Sequence, residues 1–361
     1  MAKISLPALL KTMVDQDASD LHITVGVPPE FRIQGKMVKV KTDPLSNQDT
    51  KEICYSVLTD SQKSEFEKSY EIDFSFGIKD ISRFRGNLFY QRGAVAGVFR
   101  RIPLNIPDFD TLKLPPVLKK IIRRPNGLIL VTGPTGSGKT TSLAAMLDIL
   151  NREEYGHMLT VEDPIEFVHP HKNCIVNQRE VGVDTKSFGS ALKRVLRQDP
   201  DFILVGELRD AETIEMALTM AETGHLVFGT LHTNSAIQSI NRIINVFPPH
   251  QQMQTRQVLS FTLQCVLSQQ LIPKSFSPGR CMSCEILIPT MAIRNLIRED
   301  KIHQVYSSMQ AGQDETGMQT MNQSLVSLVR SGALSKADAI ENSFMQDELT
   351  KLLASVQEKR A

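Results

Sequence analysis

The sequence predicts an α/β protein, in which a small α+β domain precedes a larger domain built on a parallel sheet with helices on both faces. In the larger domain, short apolar runs typical of buried parallel strands alternate with helix-forming stretches, and the runs are residues 128–132, 158–161 and 202–205. The first hundred residues instead combine one helix with short strands and turns, the helix at 6–14 and the strands at 21–24 and 31–33.

A proline-rich segment separates these two patterns. The stretch "PLNIPDFDTLKLPP" holds four prolines, and proline lacks the backbone donor that a helix interior or a central strand requires. We therefore expect a first domain at residues 1–102, a linker at 103–117 and a second domain at 118–361, each domain long enough to bury a core.

Composition excludes several classes of protein. The formal net charge is only +1, from 41 basic and 40 acidic residues, so no global charge draws the chain to nucleic acid or to an anionic membrane. No apolar run approaches the length of a membrane span, and no signal-peptide pattern is present. Five scattered cysteines do not form a disulfide framework. These features predict a cytoplasmic protein.

The stretch "LILVTGPTGSGKTTSLAAML" carries the pattern G-x-x-x-x-G-K-[ST] between an apolar strand and a helix, which is the context that a phosphate-binding loop requires. Its glycines allow a tight turn whose N–H groups face phosphate, and the helix N-terminus adds positive charge. Lys139 is expected to reach the β and γ phosphates of ATP, and the Thr140 hydroxyl to bind Mg²⁺. The predicted nucleotide-binding residues are Gly133, Pro134, Thr135, Gly136, Ser137, Gly138, Lys139, Thr140 and Thr141.

Carboxylates follow two of the predicted strands. In "DFILVGELRD" an apolar run ends at Glu207, where a carboxylate can hold the Mg²⁺ shell or activate the attacking water. The stretch "VEDPIEF" adds Glu162, Asp163 and Glu166 after another strand. Such a cluster is usually a solvated loop, but the carboxyl ends of parallel strands form the ligand-binding edge of a sheet. We interpret Glu207, Glu162 and Glu166 as catalytic candidates.

Two histidines, His225 and His232, flank the predicted strand 226–228. A lone histidine is more often structural than catalytic. At the two ends of one strand, however, this pair could contact the γ-phosphate region or the neighbouring acids and so report the nucleotide state.

These segments in this order resemble the hexameric ATPases of type II secretion and type IV pili. The phosphate loop, "VEDPIEFVHP", "ILVGELRD" and "GHLVFGTLHTNSA" are similar to that family's four signatures, and the N-terminal "ASDLHIT" and "GVPPEFRIQGK" also fit. The resemblance implies a RecA-like core behind a PAS-like N-terminal domain. It also implies a homo-hexamer that uses ATP and Mg²⁺. This hexamer would lie at the inner-membrane base of a pilus machine, where it would bind a platform protein.

Within that family the chain is similar to the branch that drives pilus retraction and twitching motility. The segment "AIRNLIRED" resembles the branch's C-terminal signature, and "VLSQQLIPK" lies where we expect a helix. Spacing alone favours an amphipathic surface helix, with Ile293 and Ile297 on one face and Arg294 and Arg298 on another. The resemblance assigns the segment to retraction rather than hydrolysis; its residues are Ala292, Ile293, Arg294, Asn295, Leu296, Ile297, Arg298 and Glu299.

The family also implies that arginines complete the active site. In the first domain, Arg83 and Arg85 alternate with the apolar Phe84 and Leu88, so the arginines face outward from one strand. With Arg100 they lie where the family has arginines that approach the phosphates. The candidates in the second domain are Arg194, Arg197 and Arg209.

Cysteine spacing gives a further indication of the branch. Assembly and secretion relatives carry a four-cysteine zinc site made of two C-x-x-C pairs, whereas here Cys281 and Cys284 form the only pair. Because structural zinc requires four ligands, we expect no zinc. The first domain is also short, without the N-terminal extension of assembly ATPases, which again favours retraction.

Other functions remain open at this point. The chain could be an accessory ring that modulates a second retraction ATPase, or an assembly or secretion ATPase. A nucleic-acid translocase would share the RecA-like core, but the balanced charge and the lack of a basic stripe with interleaved aromatic residues argue against nucleic acid as a partner.

Overall fold

The computed structural model describes residues 5–79, 81–103, 105–312 and 316–358. The chain divides into two compact units, one formed by Met1–Asn105 with Glu166–Val168 and the other by Ile106–Ile165 with His169–Ala361. The division falls inside the proline-rich segment, and Phe109 and Leu114 of that segment are buried in the core of the second unit. Among the described residues, no helix combines the length and apolarity needed to cross a membrane.

The first unit is an α+β structure with a six-stranded antiparallel sheet in the order β3-β2-β1-β6-β5-β4. Its elements are α1 (Leu6–Asp15), β1 (Asp20–Ile23), β2 (Glu30–Ile33), β3 (Lys36–Lys39), α2 (Asn47–Tyr55), α3 (Asp60–Ser69), β4 (Glu71–Ile78), β5 (Ser82–Gln91) and β6 (Ala94–Ile102). Alternation along β5 is as predicted, because Phe84 and Leu88 are fully buried and Arg85 is exposed.

Local sequence defines the helices of this unit. Both α2 and α3 begin with a capping box, in which the side chain of Ser46 or Thr59 accepts from the third helical N–H and the side chain of that third residue accepts in return. Phe66 of α3 is fully buried against the sheet and stacks on Tyr90 of β5, with ring centroids 4.9 Å apart. One aromatic contact thus joins helix and strand.

The second unit contains a seven-stranded sheet in the order β13-β12-β7-β11-β10-β8-β9, parallel except for β13 at one edge. Its elements up to the end of β12 are α4 (Val117–Ile121), β7 (Gly127–Thr132), α5 (Lys139–Glu153), β8 (His157–Glu162), β9 (Ile175–Glu180), α6 (Phe188–Val195), β10 (Phe202–Val205), α7 (Ala211–Glu222), β11 (Leu226–Leu231), α8 (Ala236–Asn245), α9 (Pro249–Thr262) and β12 (Leu263–Pro273).

The central strands are buried along their whole length, as helices on both faces require. Every residue of β7 and of β11 is buried, which accounts for their nearly continuous apolar sequences. The predicted parallel α/β core is confirmed. One expectation was wrong: "VLSQQLIPK" forms most of β12 rather than a helix, because pairing with β7 and β13 places its polar residues inside the sheet.

After β12, the chain adds the edge strand and a set of short helices. These are β13 (Arg280–Leu287), α10 (Met291–Arg298), a 3₁₀ turn (Ile302–Gln304), α11 (Val305–Ala311), α12 (Met321–Arg330), α13 (Lys336–Glu341) and α14 (Gln346–Glu358). The last three helices share a separate apolar cluster that includes Leu325, Leu349 and Leu353 and that rests on Ile272 of β12. Gly332, with φ of +74°, ends α12 as the sequence suggests.

Candidate active site

The phosphate-binding loop connects β7 to α5 at the carboxyl edge of the sheet. Its three glycines, Gly133, Gly136 and Gly138, have φ of +142°, +79° and +86°, values that other residues adopt only with strain. At Gly133 a Cβ atom would lie 2.2 Å from the carbonyl oxygen of Gln269. Glycine is therefore required there both by the backbone conformation and by the close approach of β12.

The loop folds around its lysine. Lys139 Nζ donates to the carbonyl oxygens of Gly133 at 2.8 Å and of Pro134 at 3.1 Å. The Ser137 hydroxyl is 2% exposed and has no hydrogen-bond partner among the described residues. Thr140, in the first turn of α5, is half-buried. A held ammonium group, an unpartnered hydroxyl and a helix N-terminus together fit the phosphates of a nucleotide.

Glu207 lies two residues after β10 and is held by two side chains. Its Oε1 atom is 2.7 Å from Nε of Arg209 and 3.4 Å from Nε2 of His232. The hydrogen bond from Arg209 is the main cause that lowers the pKa of the Glu207 carboxyl, and His232 acts in the same direction. Glu207 is therefore ionised at neutral pH, as a ligand of a magnesium shell or an acceptor of a water proton must be.

The other predicted carboxylates do not form one cluster with Glu207. Glu162, the last residue of β8, is buried and accepts hydrogen bonds from Thr160 at 2.6 Å and from Gln178 at 3.0 Å. Glu166 is exposed and groups with the first unit. Glu162 thus lies on the same sheet edge as the phosphate loop, and a catalytic role for Glu166 stays a prediction.

The structure separates the two histidines. His232 follows β11 at the carboxyl edge and contacts Glu207. His225 precedes β11, where its carbonyl accepts from Gly127 N and its Nδ1 contacts the Met220 carbonyl. Six residues of parallel strand span about 20 Å, so within one chain only His232 lies at the edge that carries the phosphate loop. A role for His225 at a nucleotide stays a prediction.

Sequence reasoning missed two groups next to the phosphate loop. Buried hydroxyls of Thr132, Ser268 and Ser239 form a chain, with 2.7 Å between Thr132 and Ser268 and 3.4 Å between Ser239 and Thr132. Gln269, 2% exposed, donates from Nε2 to the Ser137 carbonyl at 2.7 Å. The available signal was the polar triplet "SQQ" inside an otherwise apolar segment.

Two of the three candidate arginines of the first unit, Arg85 and Arg100, make ion pairs within that unit. Arg85 lies 3.7 Å from Asp73, and both side chains are exposed. Arg100, the cross-strand partner of Arg85, donates from Nε to Asp20 at 2.8 Å. Burial acts to raise the pKa of the Asp20 carboxyl, but hydrogen bonds, foremost from Arg100, bring it below its usual value. Arg83 Nε is buried.

Helix α10 holds its first arginine inward. Arg294 Nη1 donates to the carbonyl oxygens of Ser260 at 2.6 Å and Phe261 at 2.8 Å, in the last turn of α9. Arg298 is exposed and contacts Asn295 of its own helix. Ile293 and Ile297 are fully buried, as predicted, whereas Ala292 is exposed. Within the chain, the end of α9 thus occupies Arg294 Nη1, and a role of this segment in retraction stays a prediction.

The C-x-x-C pair lies within β13. Residues three apart in a strand leave it on opposite faces, so Cys281 and Cys284 are not arranged to share a metal ion. Burial raises the pKa of the Cys284 thiol to about 12. In the part of the chain that the structure describes, no group of three or more His, Cys, Asp or Glu side chains could hold a metal, whereas Mg²⁺ would take its ligands largely from nucleotide phosphates.

Known proteins show the same organisation. The model of the family described as "Type II/IV secretion system protein" matches residues 3–358. The type IV pilus retractation ATPase PilT of Pseudomonas aeruginosa is 49% identical over 340 residues, which are 94% of this chain and 98% of that protein. A twitching motility protein of Neisseria gonorrhoeae is 47% identical over 91% of this chain and 88% of its own length. The type IV pilus ATPase PilU of Pseudomonas aeruginosa is 42% identical over 96% of this chain and 90% of its own length.

Solved structures agree with the sequence comparison. A crystal structure of the pilus retraction motor PilT with bound ADP superposes with a TM-score of 0.91 at 50% identity and covers 96% of this chain and 99% of its own. The ATPase DotB of Legionella pneumophila superposes with a TM-score of 0.81 at 26% identity and covers 94% of this chain and 96% of its own. The chain therefore belongs to the type II/IV secretion system protein family, within its branch of type IV pilus retraction ATPases.

Proposed function

We propose that this chain hydrolyses ATP and uses the energy to withdraw pilin subunits from a type IV pilus, which drives twitching motility. The observation that carries the proposal is the pairing of a complete phosphate loop with an ionised Glu207 on the same sheet edge. The likeness to retraction ATPases over nearly the whole chain supports the direction of movement.

Each residue of the site has a proposed task. The loop N–H groups and Lys139 bind the β and γ phosphates, and Lys139 would exchange its loop carbonyls for phosphate oxygens. Glu207 accepts a proton from the attacking water or orients that water. His232, 3.4 Å from the carboxylate, reports whether Glu207 is engaged. Glu162 remains a catalytic candidate, as a buried acid on the same edge.

A magnesium ion supplies charge neutralisation at the phosphates when bound. We assign it to the Thr140 hydroxyl, on the first turn of α5, and to the shell of waters that Glu207 would hold. The remaining chemistry belongs to the chain, in which Arg209 and His232 hold the Glu207 carboxylate ionised.

The assembly is also proposed. We infer a homo-hexamer at the cytoplasmic side of the inner membrane, where it acts on a pilus platform protein, in some systems beside a second retraction ATPase. We further propose that Arg85, Arg83 or Arg100 acts at a nucleotide during the cycle. Arg85 would leave its exposed ion pair with Asp73, and Arg100 would leave its bond to the buried Asp20.

Two measurements test the proposal together. The purified chain should hydrolyse ATP, and deletion of its gene should leave cells with more surface pili and without twitching. Bare cells would instead indicate an assembly motor. Cells that lose twitching and regain it only when a second ATPase is also present would support the accessory role, for which the 42% identity to PilU is the specific observation.

A nucleic-acid translocase makes a different prediction. Its hydrolysis would rise when DNA or RNA is added, because the polymer completes or accelerates the cycle. We expect no such stimulation, since basic and acidic residues are balanced at 41 and 40. Strong stimulation by either polymer would overturn the pilus assignment.

A further inference from the structure

Gln269 is a buried amide on β12 that faces the phosphate loop and belongs to no nucleotide-binding motif. Its side chain is 2% exposed, and Nε2 donates to the carbonyl oxygen of Ser137 at 2.7 Å. This bond fixes the orientation of the amide, because the reversed group would place two acceptor oxygens against each other.

Contacts on both sides of the loop place Gln269 against it. The backbone oxygen of Gln269 would lie 2.2 Å from a Cβ at Gly133, and its Nε2 3.2 Å from a Cβ at Gly138. Gln269 therefore packs closely against two of the three loop glycines. Neither glycine can be replaced without displacing Gln269 or the loop.

The hydrogen bond also fixes the direction of a phosphate-binding N–H group. The Ser137–Gly138 peptide is trans, and in a trans peptide the C=O and N–H bonds point in opposite directions. Because the Ser137 carbonyl faces Gln269, the Gly138 N–H points away from β12. Gly138 is the N-cap of α5, so this N–H belongs to the set that a phosphate meets at a helix N-terminus.

Two polar atoms beside this bond have no partner among the described residues. They are Oε1 of Gln269 and Oγ of Ser137, and both side chains are only 2% exposed. Buried polar atoms in native proteins are nearly always paired. The loop therefore keeps one unpaired donor and one unpaired acceptor beside it, and we expect both atoms to find partners when nucleotide binds.

We propose that Gln269 is a positioning residue for ATP and ADP, which orients the Ser137–Gly138 peptide for phosphate and stabilises the loop conformation that nucleotide selects. The inference rests on the proposed nucleotide site. Gln269 acts through the loop backbone and does not itself touch the reacting atoms.

The test uses the full-length chain with Gln269→Met and Gln269→Glu. Methionine keeps the length and apolar volume but removes both the donor and the unpartnered acceptor. Glutamate keeps the shape but sets a carboxylate against the Ser137 carbonyl and near the phosphates. Gln270→Met is the matched control, since Gln270 is the next residue of β12 and donates instead to the Asn342 carbonyl at 3.0 Å.

We expect Gln269→Met to raise the Kd for ADP and the KM for ATP about tenfold, as expected for one lost hydrogen bond that orients a charged ligand. Gln269→Glu should raise both further, because it adds like charge. The unfolding midpoint without nucleotide should fall modestly in Gln269→Met, because the variant leaves the Ser137 carbonyl without its donor; the affinity for ADP is therefore the deciding measurement. Gln270→Met should leave Kd and KM unchanged.

Other outcomes overturn the inference. If Gln269→Met lowers the unfolding midpoint but binds ADP with wild-type affinity, Gln269 only packs against the loop. If Gln269→Met does not fold, a wild-type ADP affinity in Gln269→Glu contradicts the proposal equally. Failure of the wild-type chain to bind ADP would instead refute the nucleotide site itself, so the two failures are distinguishable.

Discussion

Replacement of Arg294 by alanine should destabilise the second unit, while replacement of Arg298 should not. Helix α9 has no basic residue in its own last turn, so its terminal carbonyl groups and the negative end of its dipole lack a cation from the same helix. Arg294 of α10 supplies it, with two hydrogen bonds at 2.6 and 2.8 Å.

The size of the effect follows from these contacts. A hydrogen bond from a charged group contributes about 1.5–3 kcal/mol, and a cation at a helix C-terminus adds roughly 0.3–1 kcal/mol. Allowing for the partial exposure of Arg294, we expect Arg294→Ala to cost about 2–4 kcal/mol. For a domain of this size, that lowers the unfolding midpoint by roughly 5–10 °C.

Arg298 provides the comparison within the same helix. It is exposed, and its hydrogen bond goes to Asn295 one turn earlier, so Arg298→Ala should change stability by less than about 0.5 kcal/mol. Arg294→Lys should recover part of the loss, because an ammonium carries the charge without the planar fork. Thermal unfolding, ATP hydrolysis and twitching are measured for all three variants. Equal midpoints for Arg294→Ala and Arg298→Ala would refute the reasoning.

Three further predictions concern the loop, the carboxylate and a buried histidine. Lys139→Ala should abolish ATP hydrolysis without unfolding the chain; near-normal turnover would contradict the assignment. Glu207→Gln should keep ADP affinity but reduce hydrolysis about 10²–10⁴-fold; if mixing it with Arg85→Ala chains restores activity, Arg85 serves a neighbouring subunit. Burial lowers the pKa of His169 from 6.5 to about 4, so its neutral form stabilises the fold above pH 6.5 and this contribution is lost as pH falls toward 4. The free energy of unfolding of the wild-type chain should therefore fall between pH 7 and pH 5, and this fall should be about 2 kcal/mol smaller in His169→Gln. The same fall in both proteins would rule out His169 as its source.

Local patterns predicted the phosphate loop and the buried strands because their causes are local. The backbone angles at residues 133, 136 and 138 require glycine. Strands β7 and β11 are apolar because they are buried on both faces of the sheet. The same reasoning located Glu207, since a carboxylate at the end of a buried strand meets the loop wherever the strands are parallel.

Other features of the site depend on contacts that sequence spacing does not encode. Arg294 is 33 and 34 residues from the carbonyls it binds, and Gln269 is 132 residues from Ser137. His225 and His232 look equivalent in the sequence, but the direction of β11 places them at opposite sheet edges. The family resemblance placed a helix at "VLSQQLIPK", whereas its polar residues contact neighbours inside the sheet. In each case the partner is fixed by the tertiary arrangement, which local periodicity does not reveal.

The arrangement around Glu207 constrains how the site can be switched. Arg209 and His232 both converge on the same oxygen, Oε1, and the shorter contact belongs to Arg209, whose side chain is 64% exposed. Glu207 is only 21% exposed, but solvent reaches Arg209 and weakens the pair, so Arg209 can leave Glu207 when a phosphate offers a stronger partner. Release of Arg209 would shift Glu207 toward His232 and raise the pKa of the carboxyl from its present low value, since Arg209 is the main cause of that lowering. A carboxylate becomes a better proton acceptor as its pKa rises. The contact with Arg209 therefore sets how readily Glu207 accepts a proton.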